Sequence, residues 1–161
     1  VSEMIWKPLG AHYDGYYQVD PSGIAFAGGG FDLNLRDMAA FGEMMRNGGK
    51  LNGKQVIPEK AVNDIASGGS SEEYKAAFAK SDYTKLKGWS YHNMWWITNN
   101  SHGAYMARGV HGQAIYIDPA AEMVIVSPDF RIRIVVILAV LYRGSHVHNL
   151  ADSRICITRI L

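Results

Sequence analysis

From Trp89 onward, the chain is a succession of short apolar runs separated by turn-forming residues. The runs are rich in aromatic and β-branched side chains and cover residues 89–98, 104–110, 113–117 and 123–126. Between them lie Asn99 to Gly103, His111-Gly112 and Asp118-Pro119. Runs of this length are typical of β-strands, and connections this short join antiparallel neighbours rather than parallel ones. The second half of the chain is therefore predicted to form an antiparallel meander.

The first half contains one segment with a clear helical period, from Leu35 to Arg46. Its apolar residues form a single stripe at helical spacing and are Leu35, Met38, Ala39, Gly42 and Met45. Asn34 is a preferred N-cap residue, and the charge of Asp37 in the first turn interacts favourably with the helix N-terminus. The run Asn47-Gly48-Gly49 ends the helix. We expect this helix to pack its apolar stripe on the sheet.

Shorter elements surround this helix. Asn52-Gly53 predicts a small hairpin, and a short helix is expected from Pro58 to Ile65. Residues 67–87 are rich in Gly, Ser and Lys and predict a surface excursion. Gly28-Gly29-Gly30 allows an unusual backbone path, but without a following Lys-Ser or Lys-Thr pair it does not predict a phosphate site. Helices packed on an antiparallel sheet make the fold class α/β, of the α+β type.

Composition excludes several classes of partner. The formal net charge is +1, with acidic and basic residues interspersed, whereas nucleic-acid binding needs a basic stripe. The longest apolar run, Ile134 to Tyr142, is far shorter than the ~20 residues that cross a bilayer. The single cysteine, Cys156, permits no internal disulfide, and the pair His146 and His148 does not by itself make a metal site. We expect no nucleic acid, membrane, metal or cofactor.

The N-terminal residues bear on the cellular compartment. Val1 to Pro8 contain no basic segment followed by an apolar one, so no signal peptide is predicted. A cytoplasmic location is favoured for the chain. Without an initiator Met, the chain is expected to begin within a fold, so the compartment of a longer parent protein stays open, as does the oligomeric state.

Several motifs occur here in an order that resembles one superfamily. They are Gly28-Gly29-Gly30, Arg36-Asp37-Met38-Ala39-Ala40-Phe41-Gly42, Asn47-Gly48-Gly49, Asn52-Gly53 and Pro58-Glu59. Further on, Tyr105-Met106-Ala107-Arg108-Gly109-Val110-His111-Gly112-Gln113 is similar to an aromatic-x-Ala-x-Gly-x-x-Gly-Gln strand. The chain thus resembles the serine β-lactamases, penicillin-binding proteins and related esterases. Its sequence is most similar to the branch of nylon-oligomer hydrolases, which cleave the amide of 6-aminohexanoate dimers.

The resemblance divides the chain in two. Residues 1–126 resemble the C-terminal portion of a β-lactamase-like serine hydrolase domain. Residues 127–161 form an unrecognised tail. It is either a divergent strand and helix or the product of a frameshift or a truncated gene, and the sequence leaves both open.

The resemblance implies covalent catalysis on a small-molecule amide or ester through an acyl-enzyme. In the superfamily the nucleophile is the Ser of Ser-x-x-Lys, a Tyr or Ser of a second motif such as Tyr-x-Asn assists proton transfer, and a third motif lies on an inner strand. No Ser of this chain has Lys at the third following position. The first two motifs are therefore expected to precede residue 1 in the parent, and the third is present as Ala107-Arg108-Gly109.

By the same resemblance, the third motif supplies most of the candidate site residues. Val110 follows the motif, so its backbone N–H is the expected oxyanion donor, with a core valine on a strand as the alternative. Gly109 and Gly112 would let a substrate approach the strand, or would mark a bulge or bend. Arg108 and His111 would line the substrate site, and His111 is expected to be structural or pocket-lining rather than a general base.

Other candidate residues lie outside the third motif. Asp32 would meet the amine end of a substrate, or would be a solvated loop residue or local turn cap. Trp89, Trp95 and Trp96 would wall an aromatic cleft, or would fill the space between sheet and helices.

Two functions remain open at this stage. In one, the parent protein acylates its serine and hydrolyses an amide or ester. In the other, the chain is a gene remnant or a binding scaffold without hydrolase activity, which the absence of Ser-x-x-Lys favours for this polypeptide alone.

Overall fold

A computed structural model describes residues 1–26 and 28–128, apart from the side chains of Asp82 and Thr84, together with the backbone of two strands in residues 135–140 and 155–160. The helical segments are a π-helix (Ser2–Trp6), α1 (Lys7–Leu9), α2 (Leu35–Arg46), α3 (Glu59–Ala66), α4 (Ser71–Ala77) and a 3₁₀ helix (Asp82–Lys85). Outside the described residues lie His146 and His148. Most of the 127–161 tail also lies outside them, so neither account of its origin is tested.

The strands fall into four antiparallel groups. Three are pairs: β1 (Tyr16–Tyr17) with β2 (Phe31–Asp32), β3 (Lys50–Leu51) with β4 (Lys54–Gln55), and β10 (Val135–Val140) with β11 (Ile155–Ile160). The fourth is a five-stranded sheet of β5 (Ser90–His92), β6 (Trp95–Ile97), β7 (Tyr105–Arg108), β8 (Ala114–Asp118) and β9 (Met123–Ser127). Its strands lie in chain order, so the predicted meander and the mixed fold class are confirmed.

The predicted run 89–98 proves to be two strands rather than one. Asn93 and Met94 both have positive φ angles, of 47° and 69°, and form the two-residue turn between β5 and β6. Such a turn matches the twist of a hairpin. The apolar pattern alone did not predict this break. Met94 continues the apolar run, and Asn93 is the one turn-forming residue between the two strands.

Helix α2 has the predicted bounds and ends. The Asn34 side chain accepts a hydrogen bond from the backbone N–H of Asp37 at 3.0 Å, which is the expected N-cap. After the helix, Gly48 and Gly49 have φ angles of 63° and 85° and turn the chain in a conformation that other residues rarely adopt. The Asn52-Gly53 hairpin and the helix after Pro58 are also confirmed.

The core lies between α2 and the inner face of the sheet. On the helix, Ala39, Ala40, Met44 and Met45 are buried, and they share the core with Ile117, Val124 and Val126. The approach is closest at Gly42, where a Cβ atom would lie 2.5 Å from Val124 Cγ1 and 3.0 Å from Ile115 Cγ2. Those distances are shorter than a methyl group allows, so glycine sets how near the helix lies to the sheet.

Residues 67–87 lie largely at the surface, as predicted, but they also contain a helix that the sequence analysis did not predict. Within them, α4 packs on the outer face of the sheet through Tyr74, which is buried. The rings of Tyr74 and Phe78 have centroids 5.8 and 5.6 Å from that of Trp96. Two aromatic side chains in a polar stretch thus anchor the segment. None of the helices in the described part of the chain is long and apolar enough to cross a membrane.

Gly42→Ala tests the contact between α2 and the sheet. Alanine favours a helix by up to ~1 kcal/mol over glycine, but the added methyl meets Val124 in the core. We expect a net loss of about 1–3 kcal/mol in the free energy of unfolding, measured by urea denaturation. In a Val124→Ala background the same substitution should cost less, because the colliding methyl is gone. Equal costs in both backgrounds would contradict the contact.

Tyr105→Phe tests the link between the sheet and α2. The buried Tyr105 hydroxyl donates to the Met45 carbonyl at 3.1 Å, and burial raises the pKa of Tyr105 to about 12. A folded-state pKa above the unfolded value of about 10 stabilises the protein below pH 10, and this stability is lost as pH rises towards 12.

Urea denaturation between pH 8 and 12 measures this effect. The free energy of unfolding of the native chain should fall by up to about 2–3 kcal/mol as Tyr105 ionises in the upper part of this pH range. Tyr105→Phe should be less stable at pH 8 by about 1 kcal/mol, with a shallower alkaline loss. Parallel curves for the two proteins would show that Tyr105 is not the titrating group.

Candidate functional site

The third motif lies at the end of β7, in the middle of the five-stranded sheet. Tyr105 to Ala107 are buried or half-buried, and the strand pairs with β6 on one side and β8 on the other. Tyr105 also bonds to the carbonyl of Met45 in α2. A strand held on both edges and on its inner face presents the residues that follow it in a fixed position.

Residues 109–112 form the turn between β7 and β8, which we call the third-motif turn. Gly109 N–H donates to the Gln113 carbonyl at 2.8 Å, and Gly112 N–H donates to the Gly109 carbonyl at 3.2 Å. The His111 N–H donates to Gln113 Oε1 at 3.1 Å. Three of the four amides of this turn therefore already have an acceptor.

The remaining amide is that of Val110. It has no hydrogen-bond acceptor among the described residues. The Val110 side chain is 89% exposed, so the alternative of a core valine on a strand is wrong, and the residue lies in the turn rather than in β7. The amide predicted to be the oxyanion donor is thus the one free N–H of the third-motif turn.

Gln113 shapes this turn and received no role in the sequence analysis. Its Oε1 would lie 2.5 Å from a Cβ at Gly109 while it accepts from the His111 amide. A side chain at Gly109 would therefore have to displace the end of the Gln113 side chain, whereas Gly112 has a φ of 89°, which favours glycine. The signal was present in the Gly-x-x-Gly-Gln pattern, but spacing alone does not reveal a side chain that folds back on its own turn.

Arg108 lies on the outer face of the sheet against two aromatic rings. Its guanidinium carbon is 5.3 Å from the centroid of the Trp96 ring and 5.5 Å from that of Tyr83. Burial raises the pKa of Tyr74, and the positive charge of Arg108 partly opposes that rise. Arg108 is exposed and forms no ion pair with a carboxylate among the described residues.

The aromatic candidates divide between the two faces of the sheet. Trp95 packs in the core, with its ring 5.3 Å from that of Tyr105 in a T-shaped contact. Trp96, only 8% exposed, lies on the outer face among Tyr74, Phe78, Tyr83 and Tyr91. Trp89 is half-buried. These contacts favour the space-filling alternative for Trp95 and make Trp96 the support of Arg108.

A pocket adjoins this aromatic group. Its volume is about 530 Å³, and it lies between α4 and residues 86–88, with Tyr74 and Phe78 in its wall. The two aromatic residues of the pocket wall contact Trp96, on which Arg108 lies, but neither Trp96 nor Arg108 lines the pocket.

Asp32 belongs to the β1–β2 pair rather than to the five-stranded sheet. It is exposed on β2, opposite Tyr16 of β1. Among the described residues, no hydrogen bond or ion pair joins its side chain to another group, and none connects it with residues 108–112. The exposed side chain, without a described partner, favours a solvated carboxylate over a turn cap.

The structure also shows a His–Asp pair that the sequence analysis did not identify. His102 Nδ1 lies 3.0 and 3.1 Å from the two carboxylate oxygens of the buried Asp118. Burial alone would raise the pKa of Asp118, but the Ala121 N–H and the His102 ring hold it below its usual range. The pair sits at the opposite end of β8 from the third-motif turn, about 13 Å away along the strand.

One Tyr-x-Asn spacing occurs in the chain, at Tyr91-His92-Asn93. The Tyr91 ring packs against Trp96 with centroids 5.1 Å apart. Asn93 Nδ2 donates to Asp64 Oδ2 at 2.6 Å. Both side chains thus hold the β5–β6 hairpin in place. In the described residues, no group of three or more His, Cys, Asp or Glu side chains is placed to hold a metal ion.

Comparison with known proteins identifies relatives over most of the chain. A scan of family models finds no match. The chain is 34% identical over 131 residues to the 6-aminohexanoate-dimer hydrolase of Paenarthrobacter ureafaciens, which covers 78% of this chain and 31% of that protein. The structure of a putative 6-aminohexanoate-dimer hydrolase from Bacillus anthracis superposes with a TM-score of 0.62 at 38% identity, over 78% of this chain and 30% of that one.

The fold and the relatives together define the class. The helices on an antiparallel sheet are the C-terminal part of a β-lactamase-like fold. Through the region that aligns, the chain belongs to the hydrolase family of these two 6-aminohexanoate-dimer hydrolases. It spans less than a third of the length of either relative.

Amide hydrogen exchange, followed residue by residue by NMR, tests the geometry of the third-motif turn. Val110 is expected to show the lowest protection factor of residues 109–112, because its N–H alone lacks an acceptor. Gln113→Ala should bring the protection of His111 down to that of Val110 and leave Val110 unchanged. A protected Val110 amide in the native chain would contradict the arrangement described here.

Proposed function

We propose that this chain forms the oxyanion-binding part of a hydrolase that cleaves an amide or ester bond in a small molecule through an acyl-enzyme. The observation that carries the proposal is the free Val110 N–H at the end of a strand held on both edges. A donor fixed in advance stabilises the charge on the tetrahedral intermediate without reorganising during the reaction.

The remaining parts of the mechanism need groups that these 161 residues do not contain. An acyl-enzyme requires a nucleophile within hydrogen-bond reach of its activating base, and no Ser-x-x-Lys occurs in the chain. The relatives are more than three times the length of their match to this chain. We assign the Ser and Lys to the part of the hydrolase that corresponds to this additional length.

The supporting residues follow from the same geometry. Gly109 and Gly112 shape the turn so that a carbonyl oxygen can reach the Val110 amide, and Gln113 holds the turn in that shape. His111 lies within the turn and is exposed. Asp32 is a less favoured contact for an amine end, since no described interaction connects it to the turn.

The alternative function is a non-catalytic chain, either a remnant or a binding scaffold. The absence of Ser-x-x-Lys favours it for the polypeptide by itself. Under this alternative the Val110 amide would have no catalytic consequence in any context, which separates the two functions experimentally.

A chimera tests the proposal. The segment of the Paenarthrobacter relative that aligns with this chain is replaced by the corresponding residues of this chain, and turnover of a 6-aminohexanoate dimer and of p-nitrophenyl esters is measured. Activity is expected in the chimera. Val110→Pro, which removes the N–H, should lower turnover about 100- to 1000-fold, whereas Val110→Ala, which keeps it, should have little effect.

Two controls make the result decisive. Thermal melting of each variant shows whether it is folded, and a folded but inactive chimera, or a folded proline variant with unchanged turnover, would refute the proposal. The chain alone should show no turnover and no labelling by a fluorophosphonate. Stoichiometric labelling of any of its serines would mean that nucleophile and base are both present here.

A further inference from the structure

We infer that the pocket between α4 and residues 86–88, here called the α4 pocket, binds a small molecule made of a flat aromatic ring system and one anionic group. The proposed function assigns no role to this pocket, and none of residues 108–113 lines it. The inference therefore goes beyond the proposed function, and its test is a binding measurement that needs no turnover.

The two walls of the α4 pocket are joined by hydrogen bonds within the chain. Ser71 Oγ, in the first residue of α4, donates to the Gly88 carbonyl at 2.9 Å. Asn99 Nδ2 donates to the same carbonyl at 2.8 Å and to Ser71 Oγ at 3.0 Å. These three bonds hold the start of α4 against residues 86–88. A pocket that is already formed needs little ordering when a ligand binds, so more of the contact energy appears as affinity.

The interior of the α4 pocket is apolar and largely aromatic. Tyr74, which is only 5% exposed, lines it together with Phe78 and Leu86. The two rings lie 4.8 Å apart with 41° between their planes, and both contact Trp96, which fixes their positions. The volume of about 530 Å³ is typical of pockets for small molecules. A flat aromatic ligand suits such walls, because it packs against ring faces and edges and has few rotamers to lose.

The charges that line the pocket favour an anion. Its charged residues are Glu72, Lys75 and Lys87, which together carry a formal charge of +1. Glu72 and Lys75 form an exposed pair at 4.0 Å and largely compensate each other. Among the described residues no carboxylate pairs with Lys87. An anionic group on the ligand would therefore gain a cationic partner at Lys87, whereas a second cation would be repelled.

The test is an NMR titration of the purified chain, followed through the ring signals of Tyr74 and Phe78. The probes are naphthalene-2-sulfonate, its uncharged analogue naphthalene-2-sulfonamide, and methanesulfonate, which has the charge without the rings. At low ionic strength the aromatic sulfonate should bind about fivefold more tightly than the sulfonamide. In about 1 M NaCl the two affinities should converge, because salt screens an exposed charge. Methanesulfonate should not bind measurably.

Variants locate the charge and the rings separately. Lys87→Met should lower the affinity for the sulfonate to that for the sulfonamide and leave the sulfonamide unchanged. Lys60→Met, which removes an exposed cation of α3, is its matched control. Ala79→Trp places a large side chain in the pocket wall and should weaken both aromatic probes at least tenfold. Ala76→Trp, at an exposed position of α4 outside the lining, should bind like the native chain.

Thermal melting shows that each variant is folded, and several results would overturn the inference. One is equal affinity for the sulfonate and the sulfonamide at low salt, and another is no binding of either. Methanesulfonate that binds as tightly as the aromatic sulfonate would indicate a general anion site instead. Unchanged binding in both Lys87→Met and Ala79→Trp, or shifts confined to residues 108–113, would place the ligand elsewhere. Activity of the chimera does not enter this test, so the proposed function and this inference can fail independently.

Discussion

The close contact between α2 and the inner face of the sheet at Gly42 is the constraint on which the remaining structure depends. Only a residue without a side chain allows the helix to lie this near to Val124 and Ile115. At this separation the Tyr105 hydroxyl reaches the Met45 carbonyl near the end of α2. The position of β7, and with it the third-motif turn, is therefore set by a helix glycine that lies outside the site.

The same helix carries two fully buried carboxylates, each of which is paired. Asp37 accepts hydrogen bonds from the backbone N–H groups of His12 and Tyr13 at 3.0 and 3.1 Å, and so attaches the N-terminal loop to the first turn of α2. Glu43 forms a bidentate pair with Arg46. Burying a charge is costly unless it is compensated in this way. α2 is thus both the centre of the core and the anchor of a distant loop.

The fold was more predictable from the sequence than the site was. Asn34, Asp37 and the glycines after Asn47 determine the ends of α2 through local capping, so its bounds could be read from neighbouring residues. The helix within residues 67–87 could not be predicted in this way. Its position depends on contact between Tyr74 and Trp96, which is 22 positions further along the chain. The place of Val110 in the chain followed from a motif, but its free N–H emerged only once the acceptors of the three neighbouring amides were known.

The hairpin turn at Asn93-Met94 has a consequence for the stability of the chain. Met94 occupies the second turn position with φ 69°. This conformation raises the free energy of a residue with a Cβ by about 1–2 kcal/mol, whereas glycine adopts it with almost no penalty. Its side chain is 70% exposed and recovers little of that through packing. A strained residue thus lies where the commonest hairpin sequence would place glycine. The turn therefore retains an unused reserve of stability, as expected when a protein needs only enough to remain folded.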